Sequence, residues 1–108
     1  MTYTISDIQR IIEPIAIKYQ LRAVYLFGSY ARGTATPASD IDLLVDTTGT
    51  SLTSLFALGA LYCELEEALK KTIDLITVSS LQQRAQMPSE EDFRKTVMNE
   101  RVKLYDVA

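Results

Sequence analysis

The chain has 108 residues, 47% of them hydrophobic, and a formal net charge of -3. This length predicts one small domain, residues 1–108, with enough apolar side chains for a core. One cysteine and no histidine exclude, within one chain, a disulfide framework, a Cys/His zinc site and a triad with histidine as its base.

The distribution of charge argues against nucleic acid as the main partner, because no basic run is present to neutralise phosphates. A nucleotide is compatible with it, since magnesium would carry the nucleotide's charge. Asp7, Arg10 and Glu13 interrupt the apolar residues near the N-terminus, and no apolar run reaches membrane-spanning length. We therefore expect a cytoplasmic protein without a membrane partner.

Hydrophobic periodicity and turn residues predict alternating helices and strands. The predicted order is a helix over 7–19, a strand over 23–27, a short turn over 30–32, a strand over 41–45, a helix over 52–71, a strand over 72–78, and helices over about 79–86 and 89–99. The last residues, 101–107, are either a strand or an irregular tail. This order favours an α/β (α+β) fold, in which a small mixed sheet carries helices mainly on one face.

Local signals refine these predicted elements. Ser6 followed by Gln9 has the pattern of a capping box for the first helix, and Ser29 is the expected N-cap of the short turn. In the long helix, Leu55 is assigned to the core stripe. Gly59 is expected to allow close packing, because glycine costs a helix interior about 1 kcal/mol relative to alanine.

The Gly28-Ser29 pair ends the first predicted strand. Gly28 and Gly33 have the spacing that opens a P-loop, but Thr34 and Ala35 follow where lysine and a hydroxyl residue are required, so a P-loop is rejected. The pair can still bind phosphate through backbone N–H groups and the serine hydroxyl. Taken alone, a serine-capped turn between a strand and a helix is the plainer interpretation.

Asp40 and Asp42 stand two residues apart at the start of the second predicted strand, so their side chains leave the same face. The rest of that strand is apolar, and an ionised carboxylate at the edge of a buried strand is costly unless it is paired or bound to metal. No basic residue lies within seven positions of Asp40, which favours a metal ion as the partner.

Asp74 is a third acid on an apolar strand, and it can lie beside Asp42 if the second and third strands are neighbours. Three converging carboxylates repel one another and suit two metal ions. A glycine turn for phosphate and carboxylates for magnesium are together what Mg-dependent transfer from a nucleoside triphosphate requires.

The combination of motifs resembles the nucleotidyltransferase superfamily with the DNA-polymerase-β-like fold. The family pattern of Gly-Ser, about ten residues, Asp-x-Asp and a later Asp is matched by Gly28-Ser29, residues 30–39, Asp40-Ile41-Asp42 and Asp74. The local sequences FGSYARG (27–33) and SDIDL (39–43) are similar to those of the minimal, single-domain MNT branch, and the resemblance extends over essentially the whole chain.

The resemblance implies a role for each matched residue. Gly28 and Ser29 would hold the β- and γ-phosphates of ATP, and Asp40 and Asp42 would bind two Mg²⁺ ions. Asp74 would complete the metal site and act as general base toward the acceptor hydroxyl. Arg32 would contact the triphosphate; a surface salt bridge is an equally good interpretation of this residue.

The resemblance also implies a partner, because minimal MNT proteins are commonly antitoxins that adenylylate a tyrosine of a cognate HEPN ribonuclease toxin within a hetero-oligomer. We therefore expect transfer of AMP from ATP to a hydroxyl acceptor with release of pyrophosphate. Two alternatives stay open at this point. One is an antitoxin that acts by binding and occlusion, and the other is nucleotidyl transfer to a small molecule such as an aminoglycoside.

Overall fold

The computed structural model describes residues 2–50, 52, 54–84 and 88–107, and the side chains of these residues outside 82–91. Helices and strands alternate along these residues except for two consecutive helices before the last strand. They are α1 (Ile5–Lys18), β1 (Ala23–Phe27), α2 (Gly28–Arg32), β2 (Ile41–Asp46), α3 (Leu55–Leu69), β3 (Ile73–Thr77), α4 (Val78–Arg84), α5 (Pro88–Glu100) and β4 (Val102–Asp106). In this part of the chain, no helix has the length and apolar character needed to cross a bilayer.

The strands form one mixed sheet in the order β3-β2-β1-β4. β1 is antiparallel to both β2 and β4, whereas β2 and β3 are parallel and are joined through α3. The predicted α/β fold with a small mixed sheet is therefore confirmed, and the terminal segment is a strand rather than an irregular tail.

The two faces of the sheet carry different cores. Side chains that alternate along β1 and β2 pack with α1 and α3 into the larger cluster, which includes Ile8, Leu26, Leu43 and Leu65. A smaller cluster on the opposite face joins the sheet to α4 and α5. Because the smaller cluster covers only part of its face, space is left over the remainder of the sheet.

Several predicted boundaries differ from those observed. The capping box of α1 consists of Thr4 and Asp7 rather than Ser6 and Gln9, because a Thr-x-x-Asp pair forms the same reciprocal hydrogen bonds two residues earlier in the chain. α3 begins after Ser54, whose hydroxyl accepts from the Ala57 N–H. The predicted helix end near Gln86 lies outside the described residues.

The N-terminal half of α3 departs from the predicted core stripe. Leu55 is 88% exposed, and the buried residues of the helix are Leu61, Leu65 and Leu69. Gly59 is exposed, and a Cβ added to it would meet no atom within 4 Å. The expectation that close packing explains this glycine was therefore wrong for the chain by itself.

Replacing Gly59 by alanine should stabilise the protein, because the helix gains propensity without a clash. We expect Gly59→Ala to raise the free energy of unfolding by about 0.5–1 kcal/mol. For a domain of this size that is a rise in Tm of roughly 2–8 °C in thermal denaturation.

Gly33→Ala is the matched control for this substitution. Its Cβ would also enter open space, but φ is +78°, so alanine should cost about 1 kcal/mol there. A loss of stability in Gly59→Ala would contradict the prediction and indicate that something packs on this face of α3.

Candidate active site

Parallel pairing of β2 and β3 sets Asp42 directly opposite Asp74. Both side chains point to the face of the sheet that α4 and α5 cover in part. Two residues further along each strand, Leu44 belongs to the smaller core cluster and Ile76 packs against it. Asp42 is half-buried and Asp74 is exposed. The structure thus brings together two of the three predicted acids, one from each parallel strand.

Gly28 closes the site at the junction of β1 and α2. Its φ is +75°, and a Cβ added at this position would collide with the carboxylate of Asp42. Both the left-handed backbone and the missing side chain are therefore required here. The glycine of the Gly-Ser pair lets the backbone of α2 approach the acids closely.

These elements enclose a cavity of about 480 Å³. Its walls come from the end of β1, from α2, from β2 and β3, and from α5. The described residues that line it are Phe27, Gly28, Arg32, Asp42, Asp74, Leu75, Ile76, Phe93, Thr96, Val97 and Glu100. The lining therefore combines acidic side chains with apolar ones.

Burial is the largest cause that raises the pKa of Asp42, which lies at about 6. The side-chain hydrogen bond with Asp74 and the negative charges of Asp74 and Asp40 act in the same direction, whereas Arg32 opposes them. Two carboxylates can share a hydrogen bond only if one holds a proton, so Asp42 retains a proton at a pH where an ordinary aspartate is ionised.

The other predicted site residues lie around this cavity without lining it. Asp40 is exposed at the start of β2, and its charge acts on Asp42. Ser29 is half-buried inside α2. The predicted N-cap role of Ser29 was wrong, because α2 begins at Gly28 and is preceded by Phe27, which makes no side-chain cap.

Arg32 pairs with a residue that sequence reasoning missed. Its Nη1 donates to Oε2 of Glu100 at 2.9 Å, which joins α2 to the last residue of α5 across the rim of the cavity. The salt-bridge interpretation of Arg32 is thus observed, and it places the guanidinium at the cavity rather than away from it.

Helix α5 supplies the wall that the sequence did not indicate. Phe93, Val97 and Glu100 recur at helical spacing and line the cavity on one face of α5. Phe93 meets Phe27 edge to face, with ring centroids 6.4 Å apart. This i, i+4, i+7 pattern was the available signal, but it marks a packing face as readily as a site.

Asp42 and Asp74 are the candidate ligands of a magnesium ion. Among the described residues, no three His, Cys, Asp or Glu side chains are grouped closely enough to hold a metal ion by themselves. Mg²⁺, however, is commonly held by one or two carboxylates together with water and substrate phosphates. Asp42 and Asp74 fit that donor set, since a dication would replace the proton that now holds the two carboxyls together. A direct role for Asp40 as a ligand stays a prediction.

The raised pKa of Asp42 makes stability depend on pH. In the unfolded chain the group titrates near its ordinary value of 3.8, whereas in the folded state it titrates at about 6. Between these values the folded state binds more protons, so the free energy of unfolding should fall as pH rises from about 4 to about 6. Asp42→Asn removes this titration, so its Tm advantage over the unsubstituted protein should grow over that range and then level off.

This prediction is checked by thermal denaturation in EDTA at pH 4.5 and pH 7.5. Asp40→Asn is the control, because Asp40 is exposed and its loss should change the Tm difference little between the two pH values. A Tm advantage of Asp42→Asn that stays constant with pH would contradict the assignment of the raised pKa.

Comparison with known proteins agrees with this geometry. Residues 8–104 match the family described as the nucleotidyltransferase domain. A protein of Methanocaldococcus jannaschii that bears the name "Putative protein adenylyltransferase MJ0435" is 42% identical over 78 residues, which are 71% of this chain and 81% of that protein.

Solved structures have the same fold. One is a chain from a crystal structure of a toxin–antitoxin with AMP-PNP, with a TM-score of 0.69, 25% identity, and coverage of 92% of this chain and 73% of that one. Another, described as a putative minimal nucleotidyltransferase, has a TM-score of 0.65 and 25% identity, and covers 93% of this chain and 95% of that one. With a family match over nearly its whole length and a relative of this identity, the chain belongs to the nucleotidyltransferase domain family.

Proposed function

We propose that this chain transfers AMP from ATP, with Mg²⁺, to a tyrosine hydroxyl of a cognate HEPN-type toxin and thereby acts as its antitoxin. The observation that carries the chemistry is the apposition of Asp42 and Asp74 in a cavity that Gly28 and Arg32 also line. The relative named an adenylyltransferase and the toxin–antitoxin structure with AMP-PNP support the choice of nucleotide and partner.

The proposed roles follow from where each group lies. Magnesium, when bound, would neutralise the triphosphate and lower the pKa of the attacking hydroxyl. Asp42, with Asp40 beside it, would hold this charge. Asp74 is the exposed member of the pair, so it is the carboxylate that an incoming acceptor can reach and the proposed general base.

The groups proposed to hold the phosphates belong to α2. Gly28 and Ser29 lie at the junction of β1 and α2, where their backbone N–H groups would bind phosphate oxygens, and Arg32 supplies the positive charge in the cavity lining. The acceptor oxygen would attack the α-phosphorus and the bond to the β-phosphate would break. The hydroxyl proton would pass to Asp74, and pyrophosphate would leave.

The composition of the cavity supports an acceptor from another molecule. Of the described residues that line the cavity, Thr96 alone carries a hydroxyl, and that hydroxyl donates to the carbonyl oxygen of Asp92 at 2.9 Å. The apolar side chains of Phe27, Phe93 and Val97 in the lining offer a surface on which an aromatic acceptor side chain could pack.

Intact-mass measurement tests the proposal. The chain, ATP and Mg²⁺ are incubated with the toxin encoded beside it, and the toxin should gain one or more AMP units. Asp74→Asn should slow this gain by about 100-fold or more, because it removes the proton acceptor. Asp42→Asn should slow it comparably, by weakening the hold on magnesium.

Asp46→Asn is the matched control. Asp46 lies on the same strand and, like Asp42, is half-buried, but it faces Arg22 and does not line the cavity. It should leave the transfer rate nearly unchanged. Neutralisation of the toxin that persists in Asp42→Asn without any mass change would contradict catalysis and establish occlusion, and adenylylation of a small molecule alone would contradict the protein acceptor.

A further inference from the structure

The ion pair between Arg32 and Glu100 stands on the wall of the proposed nucleotide site. Both residues line the cavity, and their side chains are 47% and 32% exposed. The guanidinium is therefore already held by a carboxylate at the place from which it would reach a nucleotide. A phosphate and a carboxylate engage the same fork of guanidinium donors, so they compete for it.

The charges around the cavity sharpen this competition. Arg32 is the single cationic residue among the described residues of the lining, which also carries the carboxyl groups of Asp42, Asp74 and Glu100. The acids repel an anionic ligand that enters this cavity, and the guanidinium that would attract the ligand is already paired with Glu100. Removing the charge of Glu100 should therefore strengthen binding of an anion.

Glu100 is placed so that it can release Arg32 without moving its helix. The neighbouring Arg101 lies over the ring of Tyr25, 4.5 Å from the centroid, and its N–H donates to the carbonyl oxygen of Val97. These contacts fix the backbone at the end of α5 on the sheet. The Glu100 side chain is partly exposed, and an exposed ion pair is held only weakly, so it can turn away at little cost.

We infer that Glu100 is an internal competitor for Arg32: its carboxylate occupies the position that a phosphate of the nucleotide takes, and binding proceeds by exchange of one anion for the other. Glu100 is thus a specificity-determining residue that favours polyphosphates, whose several charges can displace a carboxylate, over monophosphates. This inference rests on the proposed function, since it concerns the same nucleotide site.

The test uses binding rather than turnover, so it needs no acceptor. The probe is α,β-methylene ATP with Mg²⁺, whose α–β linkage is not cleaved by nucleotidyl transfer, and Kd is measured by titration calorimetry. Glu100→Gln keeps a hydrogen-bond acceptor for Arg32 but removes the charge. We expect it to lower Kd by about three- to tenfold; a merely structural role would not tighten binding.

Glu64→Gln is the matched control. Glu64 pairs with Lys18 at 2.8 Å, has the same 32% side-chain exposure as Glu100, and joins α1 to α3 rather than lining the cavity. The substitution changes net charge equally and should leave Kd almost unchanged. Glu100→Asp, which keeps the charge, should not tighten binding.

A double-mutant cycle separates competition for Arg32 from simple repulsion. In an Arg32→Gln background, Glu100→Gln should improve Kd no more than Glu64→Gln does. An equal improvement with and without Arg32 would overturn the inference in favour of long-range repulsion. Unchanged or weaker binding in Glu100→Gln would overturn it outright. Failure of the unsubstituted protein to bind the probe would overturn the proposed function together with the inference.

Discussion

The register between β2 and β3 is the constraint on which the rest of the site depends. Ile41, Leu43 and Val45 alternate along β2 and are fully buried in the larger core, so the intervening Asp42 must face the other side of the sheet. A slip by one residue would exchange the two sets and bury a carboxylate among aliphatic side chains. The apolar core therefore secures the position of the acid opposite Asp74.

One face of the sheet carries the larger apolar core, and the other carries the candidate active site. The α1–α3 side excludes water from a continuous apolar cluster, and among the described residues none that is polar or charged is fully buried. The α4–α5 side packs over only part of its face and leaves the ends of β2 and β3 open. Carboxylates can be kept there because they remain partly hydrated, yet burial is still enough to raise the pKa of Asp42.

The charged groups of the cavity have partners that a ligand could replace. Asp42 and Asp74 are held together by a proton, and Arg32 is held by Glu100. A metal-bound polyphosphate could satisfy both groups at once, because the cation takes the place of the proton and a phosphate oxygen takes the place of the Glu100 carboxylate. The Arg32–Glu100 pair is partly exposed, so breaking it costs little.

Much of the architecture could be predicted from local sequence. Short apolar runs predicted the strands around Leu26, Leu43 and Leu75, and helical spacing predicted the helices that pack on them, to within a few residues at most ends. Individual caps were harder, as the Thr4–Asp7 capping box shows, because several hydroxyl residues near a helix start can satisfy the same donors.

The sequence by itself determined the residue types and spacings of the motif: a Gly-Ser pair after one apolar run, two acids spaced to share a strand face, and a third acid on another apolar strand. Only the tertiary structure decided that β3 lies next to β2 in register, that α5 folds back over the acids, and that Glu100 meets Arg32, 68 residues away in sequence. Local patterns report which face of an element is apolar, whereas pairing between distant elements depends on how all those faces are buried together.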